Sequence, residues 1–184
     1  MARAGDLSNF EFIKDVSLRE NLDRTFDHIL ELISLSESTK YNEVLKGSFR
    51  KTIIIYTASI IEALLLYILK QKKTEEECAQ TKKKFVILKK FYPVEESKHI
   101  VLGEYREEKD IVHFDKLNLD QINKYCRKFQ LIEESVFQRV DRVRILRNQQ
   151  HLGGLSRIER GYTKTDLELV FSVAREVKKL AGNV

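Results

Sequence analysis

The sequence has few residues that interrupt helices or cross-link chains. Its 184 residues include one proline, seven glycines, two cysteines and no tryptophan. So few helix breakers, together with abundant Leu, Ile, Glu, Lys and Arg, favour a mostly helical protein. Cys78 and Cys126 form neither a disulfide framework nor a metal-binding pair with a nearby histidine. We expect two reduced thiols in a cytoplasmic protein, and the first twelve residues lack the apolar core of a signal peptide.

The charge balance is only mildly basic. Lysine and arginine number 33 against 28 for aspartate and glutamate, a formal charge of +5. A charge of this size permits an anionic partner such as RNA without requiring one. The length suits one domain with a sizeable core.

The longest apolar run covers residues 53–69, IIIYTASIIEALLLYIL, inside a predicted helix over 40–72. This run is at the short end of the length that spans a membrane. Glu62 stands at its centre, where a carboxylate costs about 2.5–3.5 kcal/mol on insertion scales. Both features favour the central helix of a soluble bundle. A membrane-associated protein inserted through 53–69 remains the weaker alternative.

Glu62 is itself informative, because a charge in a core helix is normally paired or functional. One interpretation is a structural salt bridge to an arginine. The other is that Arg144 or Arg147 is the partner, so that Glu62 orients a guanidinium within a site.

The remaining pattern predicts an all-α fold, a single-domain antiparallel helical bundle over residues 1–184. Capping boxes at Ser17–Glu20, Asn118–Gln121 and Thr165–Glu168 predict three helix starts. Residues 74–117 have a different composition and are predicted to form an insertion.

Within the insertion, two short apolar runs at 99–105 and 111–114 flank a charged stretch and suggest a small hairpin. His99 and His113 have no metal-ligand spacing around them, so neither is assigned a site and no metal or other cofactor is expected.

The most distinctive stretch is Arg144-Ile-Leu-Arg-Asn-Gln-Gln-His151, followed by Leu-Gly-Gly. It closes a helical pattern that begins near Ile132, and the two glycines predict the helix end. Spacings of three and four residues place four polar side chains on one face: Arg144, Arg147, Asn148 and His151.

These side chains have complementary chemistry. Arginine binds phosphate through its planar fork, and histidine exchanges a proton near neutral pH. Together they are a minimal set for cutting a phosphodiester without a metal. The structural alternative is that both arginines pair with Asp141, Glu133 or Glu134, and that His151 is a polar residue near a helix C-terminus.

The stretch resembles the arginine–histidine signature of the HEPN superfamily (higher eukaryotes and prokaryotes nucleotide-binding domains). The run Ile60-Ile-Glu-Ala-Leu-Leu-Leu66 also resembles the second core helix of such domains. The family pattern is arginine, four to six residues, then histidine, often with a polar residue after the arginine. Arg144 has the right distance to His151 but precedes Ile145, whereas Arg147 precedes Asn148 but lies closer to His151. The arginine role is therefore carried jointly by Arg144 and Arg147.

The resemblance implies a metal-independent endoribonuclease that cuts single-stranded RNA by attack of the 2′-hydroxyl. His151 would be the general base or acid, the arginines would bind the scissile phosphate, and Asn148 would bind the phosphate or fix the imidazole. Active relatives form homodimers with a composite active site. The family's members are typically toxin, phage-defence or RNA-processing components, and a toxin would have a neutralising partner, often a nucleotidyltransferase-like antitoxin.

The competing hypothesis is a non-catalytic, HEPN-like module for nucleotide binding or dimerisation. The two hypotheses make different structural demands. The nuclease requires the strip to be exposed in a basic groove that spans a dimer. The module allows the same side chains to be held in local salt bridges.

Overall fold

A computed structural model describes residues 8–95, 98–149 and 161–184. The described chain is mainly helical and also contains one two-stranded antiparallel sheet. It divides into two compact units, which are described separately: residues 1–72 with 118–184, and residues 73–117. The predicted insertion, 74–117, differs from the second unit by one residue.

In chain order the elements are α1 Val16–Glu37, α2 Glu43–Lys72, α3 Glu75–Cys78, β1 Gln80–Glu95, β2 Lys98–Asp110, a 3₁₀ turn Phe114–Lys116, α4 Leu119–Lys128, α5 Glu134–Asn148 and α6 Lys164–Ala181. Helices α1, α2, α4, α5 and α6 belong to the first unit.

Helix α2 is the core of the first unit and packs against α1, α4, α5 and α6. Its fully buried side chains recur at helical spacing and form one broad face: Ile53, Ile54, Ala58, Ile61, Leu64, Leu65 and Leu69. The buried hydroxyl of Thr57 donates to the Ile53 carbonyl at 2.8 Å, which satisfies its polar group.

The same helix is long and apolar enough to cross a membrane by length and composition alone. Its most apolar 18-residue window has a mean hydropathy of 2.1, and 61% of that window is buried inside the protein. This burial is consistent with the predicted core helix of a soluble protein.

Two of the three predicted helix caps were misplaced by two residues. Helix α1 begins after Asp15, whose carboxylate accepts from the Leu18 amide at 3.0 Å, so Ser17 is not its cap. Helix α6 is capped by Thr163, not Thr165. In both cases an equally good capping residue stands two residues earlier, and capping there adds two residues to the helix. The Asn118 capping box on α4 is confirmed.

The expectation of an all-α fold was wrong in the second unit, where β1 and β2 pair into a hairpin much longer than predicted. The charged stretch 106–110 is not a turn but continues β2. Residues 111–114 contain no strand. Ion pairs across the strands, Lys82–Asp110 and Lys84–Glu108, explain why a lysine-rich segment and an acidic one pair here.

Helix α5 also ends earlier than predicted. Asn148 is its last residue and Gln149 its C-cap, with φ −62° and ψ −9°. The predicted end at Gly153-Gly154 is therefore wrong for α5. Since α5 stops before His151, this helix does not place His151 on the same face as Arg144 and Arg147. His151 and the rest of 150–160 lie outside the described residues.

Candidate functional site

One polar contact of the predicted strip joins α5 to the central helix. Arg147, in the last turn of α5, donates from Nη1 to Oε2 of Glu62 on α2 at 3.0 Å. The side chains are 28% and 22% exposed, so the pair lies at the edge of the core. The partner that Glu62 was expected to need is thus Arg147. The functional interpretation of Glu62 requires this contact, and a structural salt bridge would also produce it.

Arg144 is held by two carboxylates. Its Nε donates to Oδ1 of Asp141, one helical turn earlier, at 2.8 Å, and its Nη2 forms an ion pair with the same oxygen at 2.7 Å. Its Nε also lies 3.5 Å from Oδ1 of Asp120 on α4. The pairing with Asp141 is the one that the structural alternative predicted. A phosphate that binds Arg144 must either displace these carboxylates or share the guanidinium with them.

Asn148 differs from the two arginines because its side chain is exposed. It is the last residue of α5 and directly follows Arg147 in the sequence. Gln149 follows, and its Oε1 is buried without a hydrogen-bond partner among the described residues. The position of His151 relative to these groups lies outside the described residues.

The charge around the strip is balanced. Two guanidinium groups face three carboxylates, contributed by α2, α4 and α5: Glu62, Asp120 and Asp141. Asp120 also accepts from Lys124 at 2.7 Å. Within the described part of the chain, the strip therefore has oriented cations at a half-buried helix junction instead of an open basic groove.

Sequence reasoning missed Asp120. It stands in the first turn of α4, within the stretch that was taken only as a capping box. Its place near Arg144 comes from the packing of α4 against α5. No spacing within either helix contains that information, so no local signal could have identified it.

A shallow cavity of about 400 Å³ lies elsewhere in the first unit. It contains none of the predicted site residues and is lined by Gln130, Leu131, Ile132, Glu133, Val136, Glu176 and Leu180. Its ionisable lining groups, Glu133 and Glu176, are acidic, which does not suit an anionic ligand.

In the second unit, the structure brings together three groups that sequence spacing did not connect. Ligand atoms of Glu75, His113 and Asp115 lie within 4.8 Å of one another, a set that could hold a cation. His113 Nδ1 is 3.5 Å from one oxygen of Glu75. The other oxygen accepts from the Phe114 amide at 2.7 Å. The cluster is therefore already an internally bonded corner of the chain.

No family model, curated protein or solved structure matches this chain. The fold and the site therefore define a structural class of protein. It is a mainly α-helical protein with an inserted β-hairpin, and it has an arginine–carboxylate cluster where its central helix meets α4 and α5.

Proposed function

We propose that the protein is a metal-independent endoribonuclease of HEPN type, acting on single-stranded RNA by attack of the 2′-hydroxyl. The observation that carries the proposal is the Arg147–Glu62 pair. It fixes a guanidinium at the end of α5, immediately before the segment that contains His151. A fixed guanidinium meets a phosphate with less loss of side-chain entropy than a free one.

The same pair indicates which arginine makes the main contact to the phosphate. Glu62 engages one nitrogen of Arg147, and the other guanidinium nitrogens have no partner among the described residues. Arg144 is engaged by Asp141 at two nitrogens. We therefore assign the leading phosphate contact to Arg147, followed by the polar Asn148 as in the family pattern, and a supporting role to Arg144.

The chemistry follows from these assignments. His151 accepts the proton of the ribose 2′-hydroxyl or donates one to the leaving 5′-oxygen. Arg147 stabilises the charge that develops on the phosphoryl oxygens. The 2′-oxygen bonds to phosphorus as the 5′-oxygen leaves, which gives a 2′,3′-cyclic phosphate and a free 5′-hydroxyl.

The wider setting is part of the same proposal. The helices form the antiparallel bundle of the HEPN superfamily, and two copies bring their strips into one composite active site. The protein works in the cytoplasm as a toxin or phage-defence component. In a toxin role it would be neutralised by a partner such as a nucleotidyltransferase-like antitoxin.

The second candidate is a non-catalytic HEPN-like module for nucleotide binding or dimerisation. The ion pairs of Arg144 with Asp141 and Asp120 favour it, because they are the local salt bridges that this candidate allows. In that case the strip would stabilise the helix junction and bind no scissile phosphate.

Cleavage of a mixed single-stranded RNA in excess EDTA separates the two candidates. The ribonuclease should give cyclic-phosphate ends and leave the matched DNA intact. His151→Ala should lower the rate by about 10²–10⁴-fold, and Arg147→Ala by about 10²–10³-fold. His28→Ala, which changes an exposed histidine on α1, should cut like wild type. RNA left intact by the wild type, or cut equally by His151→Ala, would instead favour the module.

A further inference from the structure

The β1–β2 hairpin of the second unit differs between its two faces in charge. The strands pair even-numbered residues with even-numbered ones, and odd with odd, from Gln80 to Ile87, so the hairpin has an even face and an odd face. A register shift after Ile87 places Lys90 opposite Val101 and therefore on the odd face. Exposed apolar side chains lie on both faces: Phe85, Ile87 and Tyr105 on the odd face, and Leu88 and Leu102 on the even face.

The even face holds each of its described cations within the hairpin. Its ion pairs are Lys82–Asp110, Lys84–Glu108 and Arg106–Glu104. Lys89, which pairs with Leu102 in the register, lies 5.2 Å from the centroid of the Phe91 ring. The even face therefore offers a partner little positive charge that is not already engaged.

The odd face has an excess of positive charge. Lys83, Lys90 and Lys109 are exposed, and none of them forms an ion pair among the described residues. Glu107 is the single acid among the described side chains of this face, and it stands opposite Lys83 in the register without forming an ion pair. Three lysines against one glutamate leave an excess of two positive charges. Lysines that are not neutralised attract a polyanion, because binding releases its counterions.

An aromatic pair lies between these lysines. Phe85 and Tyr105 are direct cross-strand partners, their ring centroids are 5.2 Å apart, and their side chains are 43% and 71% exposed. Lys83 precedes Phe85 by two residues, about 7 Å along the strand, and Lys109 lies one odd-face position further in the same direction. Lys90 lies on the opposite side of the pair. Single-stranded nucleic acids bind surfaces of this kind, where bases stack on aromatic rings and phosphates contact neighbouring cations.

Gly103 leaves the odd face open beside the aromatic pair. A Cβ placed there would lie 2.5 Å from Cζ of Phe85 and 2.5 Å from the Val86 carbonyl oxygen. The position of the Phe85 ring against β2 therefore requires a residue without a side chain at 103. The same lack of a side chain gives a base room to approach the rings.

We propose that the odd face is a binding platform for single-stranded RNA, built from residues of the second unit alone. Bases stack on Phe85 and Tyr105, and the three lysines contact the flanking phosphates. The platform adds to the proposed arginine–histidine site a second RNA contact that performs no chemistry. The choice of RNA rests on the proposed function, whereas stacking and charge attraction apply to single-stranded DNA as well.

Two other kinds of occupant fit the hairpin less well. Insertion into a lipid bilayer would leave the backbone groups at the open strand edges without hydrogen-bond partners in hydrocarbon. A protein partner held by apolar contact would have no reason to choose the odd face, because Leu88 and Leu102 expose apolar surface on the even face too. Only the charge excess distinguishes the odd face, and it favours a polyanion.

The first test measures charge contacts with a labelled oligothymidylate DNA, which attack by a 2′-hydroxyl cannot cut. Fluorescence anisotropy of the full chain at several salt concentrations gives the affinity and its salt slope. Lys90→Gln should weaken binding and lower the slope by about one phosphate contact. Lys89→Gln is the matched control, because it removes the same charge from the neighbouring residue on the even face. Glu107→Gln should tighten binding and steepen the slope.

The second test measures stacking. Tyr105→Ala should weaken binding of the oligothymidylate by about ten-fold. Leu102→Ala is its control, because Leu102 is also exposed but lies on the even face. An abasic strand of equal length keeps the phosphates and lacks the bases, so wild type should bind it about as weakly as Tyr105→Ala binds thymidylate. Hydrogen exchange of the strand amides checks that the hairpin stays paired in each variant.

Equal effects of Lys90→Gln and Lys89→Gln would overturn the proposal, and so would equal binding of the abasic strand and thymidylate. Vesicles of phosphatidylserine that bind wild type but not Tyr105→Ala, with no binding of the oligonucleotide, would assign the face to lipid instead. The platform and the ribonuclease fail separately. RNA cleavage without these binding effects would reject the platform alone, and the binding effects without cleavage would reject the ribonuclease alone.

Discussion

Arg147 and Glu62 are 85 residues apart in the chain, yet their side chains meet at 3.0 Å and tie the end of α5 to the middle of α2. Both groups are more than two-thirds shielded from solvent. A pair so placed is screened less by salt than a surface pair. It is therefore expected to stabilise the helix junction and to fix the orientation of the guanidinium.

A double-mutant cycle measures that stabilisation. Glu62→Gln and Arg147→Met should each lower the free energy of unfolding, and together they should reveal a coupling of about 1 kcal/mol. Urea unfolding at neutral pH provides the measurement. Glu20 and Arg24 on α1 are a matched control, since this pair is 3.8 Å apart and largely exposed. Its coupling should be close to zero. Equal couplings for the two pairs would contradict a special role for Glu62.

Arg144 gives a prediction about RNA affinity. Asp141→Asn removes the carboxylate that engages two nitrogens of this guanidinium. If the strip binds RNA, the variant should bind more tightly, and the slope of log affinity against log salt should steepen by about one phosphate contact. Fluorescence anisotropy with a labelled single strand measures both. Asp27→Asn, an exposed change on α1, is the control. An unchanged salt slope in Asp141→Asn would exclude Arg144 from the RNA contact.

The buried thiols provide a simple test of packing. The thiols of Cys78 and Cys126 are fully buried, and that of Cys126 lies 3.7 Å from the Leu65 carbonyl of the core helix. Both should react slowly with a thiol reagent such as DTNB in the native protein and rapidly in denaturant. Fast native labelling of Cys126 would show that α4 separates readily from α2.

The core helix could be predicted because its information is local. The run from Ile53 to Leu69 is apolar nearly all round, which is typical of a helix packed among others in a protein core. The same reasoning required a cationic partner for Glu62, since an unpaired charge at that position is costly. The sequence limited the partner to an arginine, and only the packing of α5 on α2 selected Arg147.

Other features depend on contacts that no local pattern contains. Asp120 reaches Arg144 because α4 packs on α5. The predicted hairpin was too short, because the charged ends of each strand, taken by themselves, have the composition of a solvent-exposed loop. Their stabilisation comes from the opposite strand, as in the Lys84–Glu108 pair. The helical placement of His151 assumed that α5 runs on to Gly153, whereas α5 ends at Asn148.

Two glycines should respond in opposite directions to substitution. Gly103→Val forces a Cβ against the Phe85 ring and the Val86 carbonyl, and the backbone atom cannot move without breaking the strand pairing. Hydrogen exchange should show faster exchange of the β1 and β2 amides, with the helices unaffected. Gly47→Ala lies in α2 with no atom within 4 Å of the new methyl group. It should raise stability by about 0.5–1 kcal/mol. A protected hairpin in Gly103→Val would contradict the packing of Phe85 over Gly103.

The Lys82–Asp110 pair makes the hairpin sensitive to acid. The hydrogen bond from the Lys82 ammonium is the main cause that lowers the pKa of Asp110, and the charge of His113 adds to it. Because the folded pKa is below the unfolded one, the pair stabilises the hairpin at neutral pH. This contribution is lost as pH falls from the unfolded value of about 3.9 through the folded one. Carboxyl NMR should show Asp110 titrating below 3.9, and Lys82→Ala should return its pKa towards that value. Lys124→Ala, which removes one ion-pair partner of Asp120 instead, should leave the pKa of Asp110 unchanged. A wild-type Asp110 that titrates at or above its ordinary pKa would show that the cross-strand pair does not form in solution.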